Sequence, residues 1–363
     1  MKRVTPQLVT VVLFSVFLLG LFACQVLKPD TELSSAERRP LQQYPGASYQ
    51  SINNGEFFED FEAYALDQAV FRDAFRSLKA LSSRYLLIKG DNNGVYQYRD
   101  GLYKIETTRE ASFIKAGEKI EALSQKLSSL RCYYALIPDK NTLIASESGR
   151  PSHDYDLCEK LLAETVTQAA YIEIAPYLSV EDYYRTDLHW RQERLLPISE
   201  IILESMNNNA EQCSYDETIL EGFYGVYHGQ AALPVSPDDM YYLTSPIFSD
   251  VTVESLASGE KIPLYHDEAF LSIDPYNLYV GGTEPLLRIT NPNANTLKKL
   301  YLFRDSFGSS LAPLLVHAYA EIVLIDLRYV DSRYLDAFLT FEEGNDVLFL
   351  YSTHILNNSE MLR

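Results

Sequence analysis

"KKLYLFRDSFGSS", residues 298 to 310, sets an apolar run, Leu300 to Phe303, between two lysines and a charged pair, and then turns to serine and glycine. A short, near-continuous apolar run bounded by polar residues reads as a strand buried on both faces. The sequence that follows predicts a helix near 310–319, so the stretch is a strand, a polar junction and a helix. Downstream, "EIVLID" (321–326) and "DVLFLY" (346–351) read as further buried strands. Upstream, "CYYALIP" (132–138) and "YIEIA" (171–175) do the same, with helical spacing over about 110–130, 155–170 and 191–207. Strands of this kind alternating with helices predict an α/β fold whose mainly parallel sheet is covered by helices on both faces.

The rest of the chain is less regular. "GVYQYRDGLYKI" (94–105) predicts a hairpin turning at Asp100-Gly101. Phe57, Phe61, Tyr64, Phe71, Phe75, Leu78 and Leu81 recur at helical spacing, interrupted at Gln68, and predict one long helix over 56–82. Residues 28–55 are polar and turn-rich and read as a linker. The segment from Cys213 to Asn295, rich in Tyr, Pro, Asp and Gly, reads as short strands and long loops. The organisation expected is therefore 1–27 as a membrane segment, 28–55 as a linker and 56–363 as the folded domain.

The membrane segment rests on Leu8 to Leu27, which carries no charge. About 20 apolar residues span a bilayer core of roughly 30 Å. Lys2 and Arg3 on the short leading side predict that the domain lies outside the cell. A cleaved signal peptide, or lipoprotein processing at "LFAC" ending in Cys24, would export the domain equally. The 363-residue chain has a net charge of -19, which argues against nucleic acid and anionic surfaces as partners. Cys132, Cys158 and Cys213 lack metal-site spacing; one Cys132–Cys158 bridge and three buried thiols both fit.

Two junctions carry candidate chemistry. Ser306 follows the 298–303 strand and precedes a helix, where unpaired N–H groups and the helix dipole favour developing negative charge. Ser306, Ser309 and Ser310 are equally natural helix caps. In "EDYYRTDLHWRQE" (181–193), Asp187 and His189 are two apart and precede the chain's single Trp, Trp190. A lone His is usually structural. A serine, however, is a weak nucleophile until a base takes its proton, and that base needs a carboxylate to orient it. Asp187, His189 and Ser306 together supply those three types. There is no GxSxG elbow, Walker loop or GxGxxG, and no metal-ligand spacing among His and Cys.

"YYRTDLHW" (183–190), "DSFGSSLAPLL" (305–315), "YAEIVLIDLRY" (319–329) and "SSAERRPLQQYP" (34–45) resemble the DHHW family of exported bacterial proteins. "FEDFEAYALDQAVFRDAFRSLKA" (58–80) and "YNLYVGGTEPL" (276–286) add to it. That family is related to SGNH-like O-acetyltransferases of exopolysaccharides such as alginate. The resemblance implies a permuted SGNH-hydrolase-like sheet with Ser306 as nucleophile, His189 as base and Asp187 as orienter. It also implies a polysaccharide substrate, no cofactor, and a membrane-bound O-acyltransferase as acetyl donor. Leu188 stands where the family name has its first His. Arg304 replaces the Gly that SGNH enzymes carry before Asp-Ser; Gly281 and Gly282 are further oxyanion or substrate candidates. A non-catalytic carbohydrate-binding or envelope-assembly protein retaining the fold is the other reading.

Overall fold

The structure, a computed structural model, describes residues 5–208, 210 and 213–363. Lys2 and Arg3, which carry the orientation argument, lie outside the described residues. The chain forms two compact units, Met1–Asn92 with Ala232–Pro234, and Asn93–Ala231 with Val235–Arg363.

The first unit begins with helix α1, Pro6–Leu27, capped by Thr5 and with no residue buried. A two-residue ladder, Leu33–Ser34 with Arg39–Pro40, and helix α2, Tyr49–Asn53, occupy the stretch read as a linker. The expected long helix is instead two, α3 over Glu56–Asp67 and α4 over Arg72–Tyr85. The break has a physical cause at Gln68. Its side chain is buried, accepts from the Thr31 N–H at 2.9 Å and donates to the Thr31 and Gln42 carbonyls. A buried amide must be satisfied, and the loop does so where a continued helix would not. Phe71 then starts α4 from the left-handed region, at φ 58°. Arg39 ties the loop to Asp67 at 2.8 Å.

The second unit is built on one eight-stranded sheet. Its strands, in chain order, are β1 Arg131–Ile137, β2 Ala170–Tyr171, β3 Thr252–Ser255, β4 Lys261–Ile262, β5 Leu286–Thr290, β6 Lys299–Arg304, β7 Glu321–Ile325 and β8 Asp346–Ser352. Across the sheet they run β4-β3-β5-β7-β6-β8-β1-β2. The five from β7 to β2 are mutually parallel, and β5, β3 and β4 extend them antiparallel. The mainly parallel reading is therefore borne out. β8 is buried along its whole length, as a strand covered on both faces must be.

The alternation of β6 divides the core. Leu300 and Leu302 pack on one face with Ile198 of helix α8 (Leu196–Ser205) and Leu311 of helix α10 (Ser306–Leu315). Tyr301 and Phe303 pack on the other with Phe113 of α5 (Glu110–Lys126) and Leu161 of α7 (Tyr155–Thr165). Each such side chain contributes about 1.5–3 kcal/mol on burial.

Several boundaries move. β2 has two residues, because Pro176 lies in a tight turn over Ala175–Tyr177. The hairpin pairs Val95–Tyr98 with Gly101–Lys104, so Arg99 and Asp100 form the turn, with Arg99 at φ 50°. Gly101 belongs to the strand, paired with Tyr98, and a Cβ there would stand 2.8 Å from the Tyr103 hydroxyl. Cys132, Cys158 and Cys213 are free thiols, and burial pushes those of Cys132 and Cys158 up to about 11.

Candidate active site

The carboxyl ends of β6, β8 and β1 lie side by side, and an open α/β sheet holds ligands at that edge. The helix after β6 begins earlier than its apolar pattern suggested, at Ser306. Asp305 is its cap, accepting from the Phe307 N–H at 2.9 Å. None of Ser306, Ser309 and Ser310 takes that role. The other Asp305 oxygen accepts from the N–H and hydroxyl of Ser352, at 2.8 and 2.7 Å. One oxygen of this carboxylate thus caps the helix and the other joins β6 to β8. Ser306 occupies the first helical position, where the amide N–H has no intrahelical carbonyl to bond.

His189 reaches Ser306 from a segment 117 residues earlier, its Nε2 lying 2.7 Å from the Ser306 Oγ. Its Nδ1 lies 2.5 Å from the Asp187 Oδ1, which also accepts from the His189 backbone N–H at 3.0 Å. The other Asp187 oxygen accepts from the Val226 N–H at 2.7 Å. Asp187 is fully buried, His189 nearly so, and Ser306 partly open to solvent. A hydroxyl thus meets a ring nitrogen whose partner nitrogen is held by a carboxylate, the arrangement in which serine can lose its proton.

The motif is held from behind. Trp190 is completely buried, and its Nε1–H lies 3.0 Å from the Phe307 carbonyl and 2.9 Å from the Ser310 Oγ. Gln192 donates to the Ser310 carbonyl at 2.7 Å. The indole therefore clamps the first turn of α10 as well as filling core. In front of Asp187, the Thr186 N–H and hydroxyl donate to Asp238 at 2.8 and 2.6 Å. Gly225 donates to the Thr186 Oγ1 at 2.9 Å, and a Cβ on it would stand 2.3 Å from the Asp187 Cβ. Lys140, fully buried just past β1, donates to the Tyr184 and Arg185 carbonyls at 2.7 and 3.1 Å. Burial pushes its ammonium down to about 8, against the opposing pull of Asp238, Asp187 and Asp139.

Tyr276 stacks on His189, and its hydroxyl donates to the Ser310 Oγ at 2.8 Å. Neither Tyr276, Gly225, Asp238 nor Lys140 stood out in the sequence. Of the eight tyrosines in 215–279, Tyr227, Tyr242, Tyr276 and Tyr279 are buried and belong to the core. Tyr224 is exposed and lies against His228, with 4.4 Å between ring centres.

Arg304, Gly281 and Gly282 have another task. Arg304 is fully buried and donates to the Asp326 carboxylate at 3.3 Å and the Gly282 carbonyl at 3.2 Å. The Gly282 N–H donates to the Tyr279 carbonyl at 3.1 Å, and both glycines sit at positive φ. The guanidinium and the Gly282 amide thus take part in holding a turn beside the carboxyl end of β6. A Cβ on Gly281, in the same turn, would meet the Ile262 side chain at 2.6 Å. Among the described residues no group of His, Cys, Asp and Glu is arranged to hold a metal.

Solved structures share this fold. A DHHW family protein from Eubacterium siraeum matches with a TM-score of 0.58 and 18% identity, over 75% of this chain and 95% of that one. Bacillus cereus PatB1 matches with a TM-score of 0.59 and 18% identity, over 72% and 96%. PatB1 with a sulfonyl adduct matches with a TM-score of 0.57 at the same identity, over 72% and 97%. No protein-family profile and no curated protein sequence matches the chain. The resemblance of the motifs is thus joined by a likeness of fold over 72% to 75% of the chain.

Proposed function

We propose that the chain is an exported, membrane-anchored serine enzyme that moves acetyl groups onto, or removes them from, a cell-envelope or secreted polysaccharide. The observation that carries this reading is the 2.7 Å approach of Ser306 Oγ to His189 Nε2 with Asp187 on the other ring nitrogen. The family resemblance supplies the acetyl group and the glycan.

In this reading Ser306 Oγ attacks the carbonyl carbon of an acetyl ester while His189 Nε2 takes its proton. The oxyanion that forms faces the start of α10, where the Ser306 amide and the helix dipole favour negative charge. His189 returns the proton to the leaving alcohol, and an acetyl-Ser306 ester remains. An incoming sugar hydroxyl gives its proton to His189 and attacks the ester, and His189 passes that proton to the departing Ser306 Oγ, which regenerates the serine and the base. Water in place of the sugar makes the enzyme an esterase. Asp187 keeps the imidazole in one tautomer and balances its charge at each turn. A membrane-bound O-acyltransferase delivering acetyl groups outside the cell fits the anchored location.

The purified chain is given p-nitrophenyl acetate with a series of oligosaccharides, and the sugars are examined by mass spectrometry. Acetylated sugar formed by the wild type and not by Ser306→Ala supports transfer. Nitrophenol release with no acetylated acceptor keeps the serine enzyme and removes the transferase. Neither product, from a folded chain that still binds glycan, favours a carbohydrate-binding protein.

A further inference from the structure

We infer that α3 and α4 of the first unit lie on the membrane surface beside α1, the phospholipid headgroup and acyl boundary being the partner that covers their outward faces. The inference goes beyond the proposed chemistry and rests on α1 being the anchor.

Helix α4 has its amphipathic faces reversed for a helix bathed in water. Phe71, Phe75, Leu78 and Tyr85 recur at helical spacing on one stripe, and they are 63%, 53%, 58% and 67% exposed. The opposite side carries Arg72 and Arg76, which turn inward onto Glu37. Buried beside them are Ala80 and Ser83. Helix α3 adds Phe58 and Leu66 to the exposed set. Soluble monomers rarely leave so continuous an apolar surface to water. A helix lying in a bilayer interface presents this arrangement, with Phe and Leu directed into the acyl boundary.

The geometry at the end of α1 identifies the cover as lipid. Gln25, in the last turn of α1, donates to the Gln68 carbonyl at 3.0 Å and accepts from the Val70 N–H at 2.9 Å. The end of an uncharged 22-residue helix is therefore hydrogen-bonded to the corner between α3 and α4, one residue from Phe71. A recess at that place is lined by Val26, Phe61, Tyr64 and Ala65. Because about 20 residues cross the bilayer core, the end of α1 emerges at the interface and holds the aromatic corner at that depth.

The test uses the full chain in phosphatidylcholine vesicles, with and without bromine on the lipid acyl chains. Trp190 is fully buried and serves as the unquenched baseline. Phe75→Trp and Leu78→Trp each add one reporter. The inference predicts a blue-shifted added emission that falls roughly two-fold or more in brominated vesicles, as for an indole at the acyl boundary. Added emission that is red-shifted and unquenched overturns it. So does emission that is unquenched while Leu78→Cys forms disulfide-linked dimers, because a second copy is then the cover. Intact-mass measurement of the same preparation separates the two claims. With α1 present and no quenching, the anchor stands and the docking falls. With α1 cleaved, quenching that is lost supports the placement of α3 and α4 by α1, and quenching that is retained overturns that placement.

Discussion

The phenol ring of Tyr276 lies flat on the imidazole of His189, with 3.8 Å between ring centres and 10° between planes. Burial raises the Tyr276 hydroxyl well above its usual pKa, so the ring stays neutral and offers its face to the imidazolium that the proposed proton transfer would form. Tyr276→Leu is expected to lower kcat for p-nitrophenyl acetate roughly 10-fold, the worth of a desolvated cation–π contact of about 1–2 kcal/mol. Tyr276→Phe keeps the stack and should keep kcat close to that of the wild type.

Gly225 gives a second test, since it touches no reacting atom. Its N–H holds Thr186, and any Cβ drives into Asp187. Gly225→Ala should displace the carboxylate and lower kcat roughly 100-fold, the cost of about 1 Å of misplacement. Circular dichroism should show a folded chain. Full activity with Ala at 225 would mean that the Asp187 position does not govern the rate.

Lys140 predicts a pH dependence of stability. Its ammonium is held down to about 8 in the fold, whereas an unfolded lysine titrates near 10.4. Between those values the unfolded chain binds more protons, so stability rises as pH rises through the window and falls as pH drops back towards 8. The slope contributed is at most roughly 1 kcal/mol per pH unit. Urea unfolding from pH 8 to 9.5 should show the rise in the wild type and a flatter curve in Lys140→Met. The variant should also be less stable at neutral pH, because the Tyr184 carbonyl loses its buried donor.

Tyr224 offers a test of the proposed sugar acceptor. It is exposed and precedes the glycine that packs on Asp187. Tyr224→Ala should raise KM for an oligosaccharide acceptor about five-fold, as loss of an aromatic contact does, and leave hydrolysis of p-nitrophenyl acetate unchanged. Equal effects on both reactions would assign Tyr224 to the fold.

The parallel core was legible because β1, β6, β7 and β8 are contiguous apolar runs, and contiguity is visible in one dimension. Asp187 and His189 were legible as a pair because their contact is local, two residues apart. The supports were not. Val226 reaches Asp187 across 39 residues and Lys140 reaches Tyr184 across 44, so no window of sequence contains both partners. Tyr276 lay in a Tyr-rich segment where core and surface tyrosines look alike. At Gln68 the apolar row continued past the break, and only the polar residue itself marked the corner. Arg304 looked like a site residue by position, while its burial against Asp326 gives it to the turn.

The most direct measurement is the capture of the covalent intermediate. The folded chain is treated with a fluorophosphonate or sulfonyl fluoride probe, digested and mapped by mass spectrometry. The account predicts a single adduct on Ser306 in the wild type, its absence in Ser306→Ala, and strongly slowed formation in His189→Ala. An unlabelled wild type that is demonstrably folded, or labelling that persists in Ser306→Ala, would contradict it.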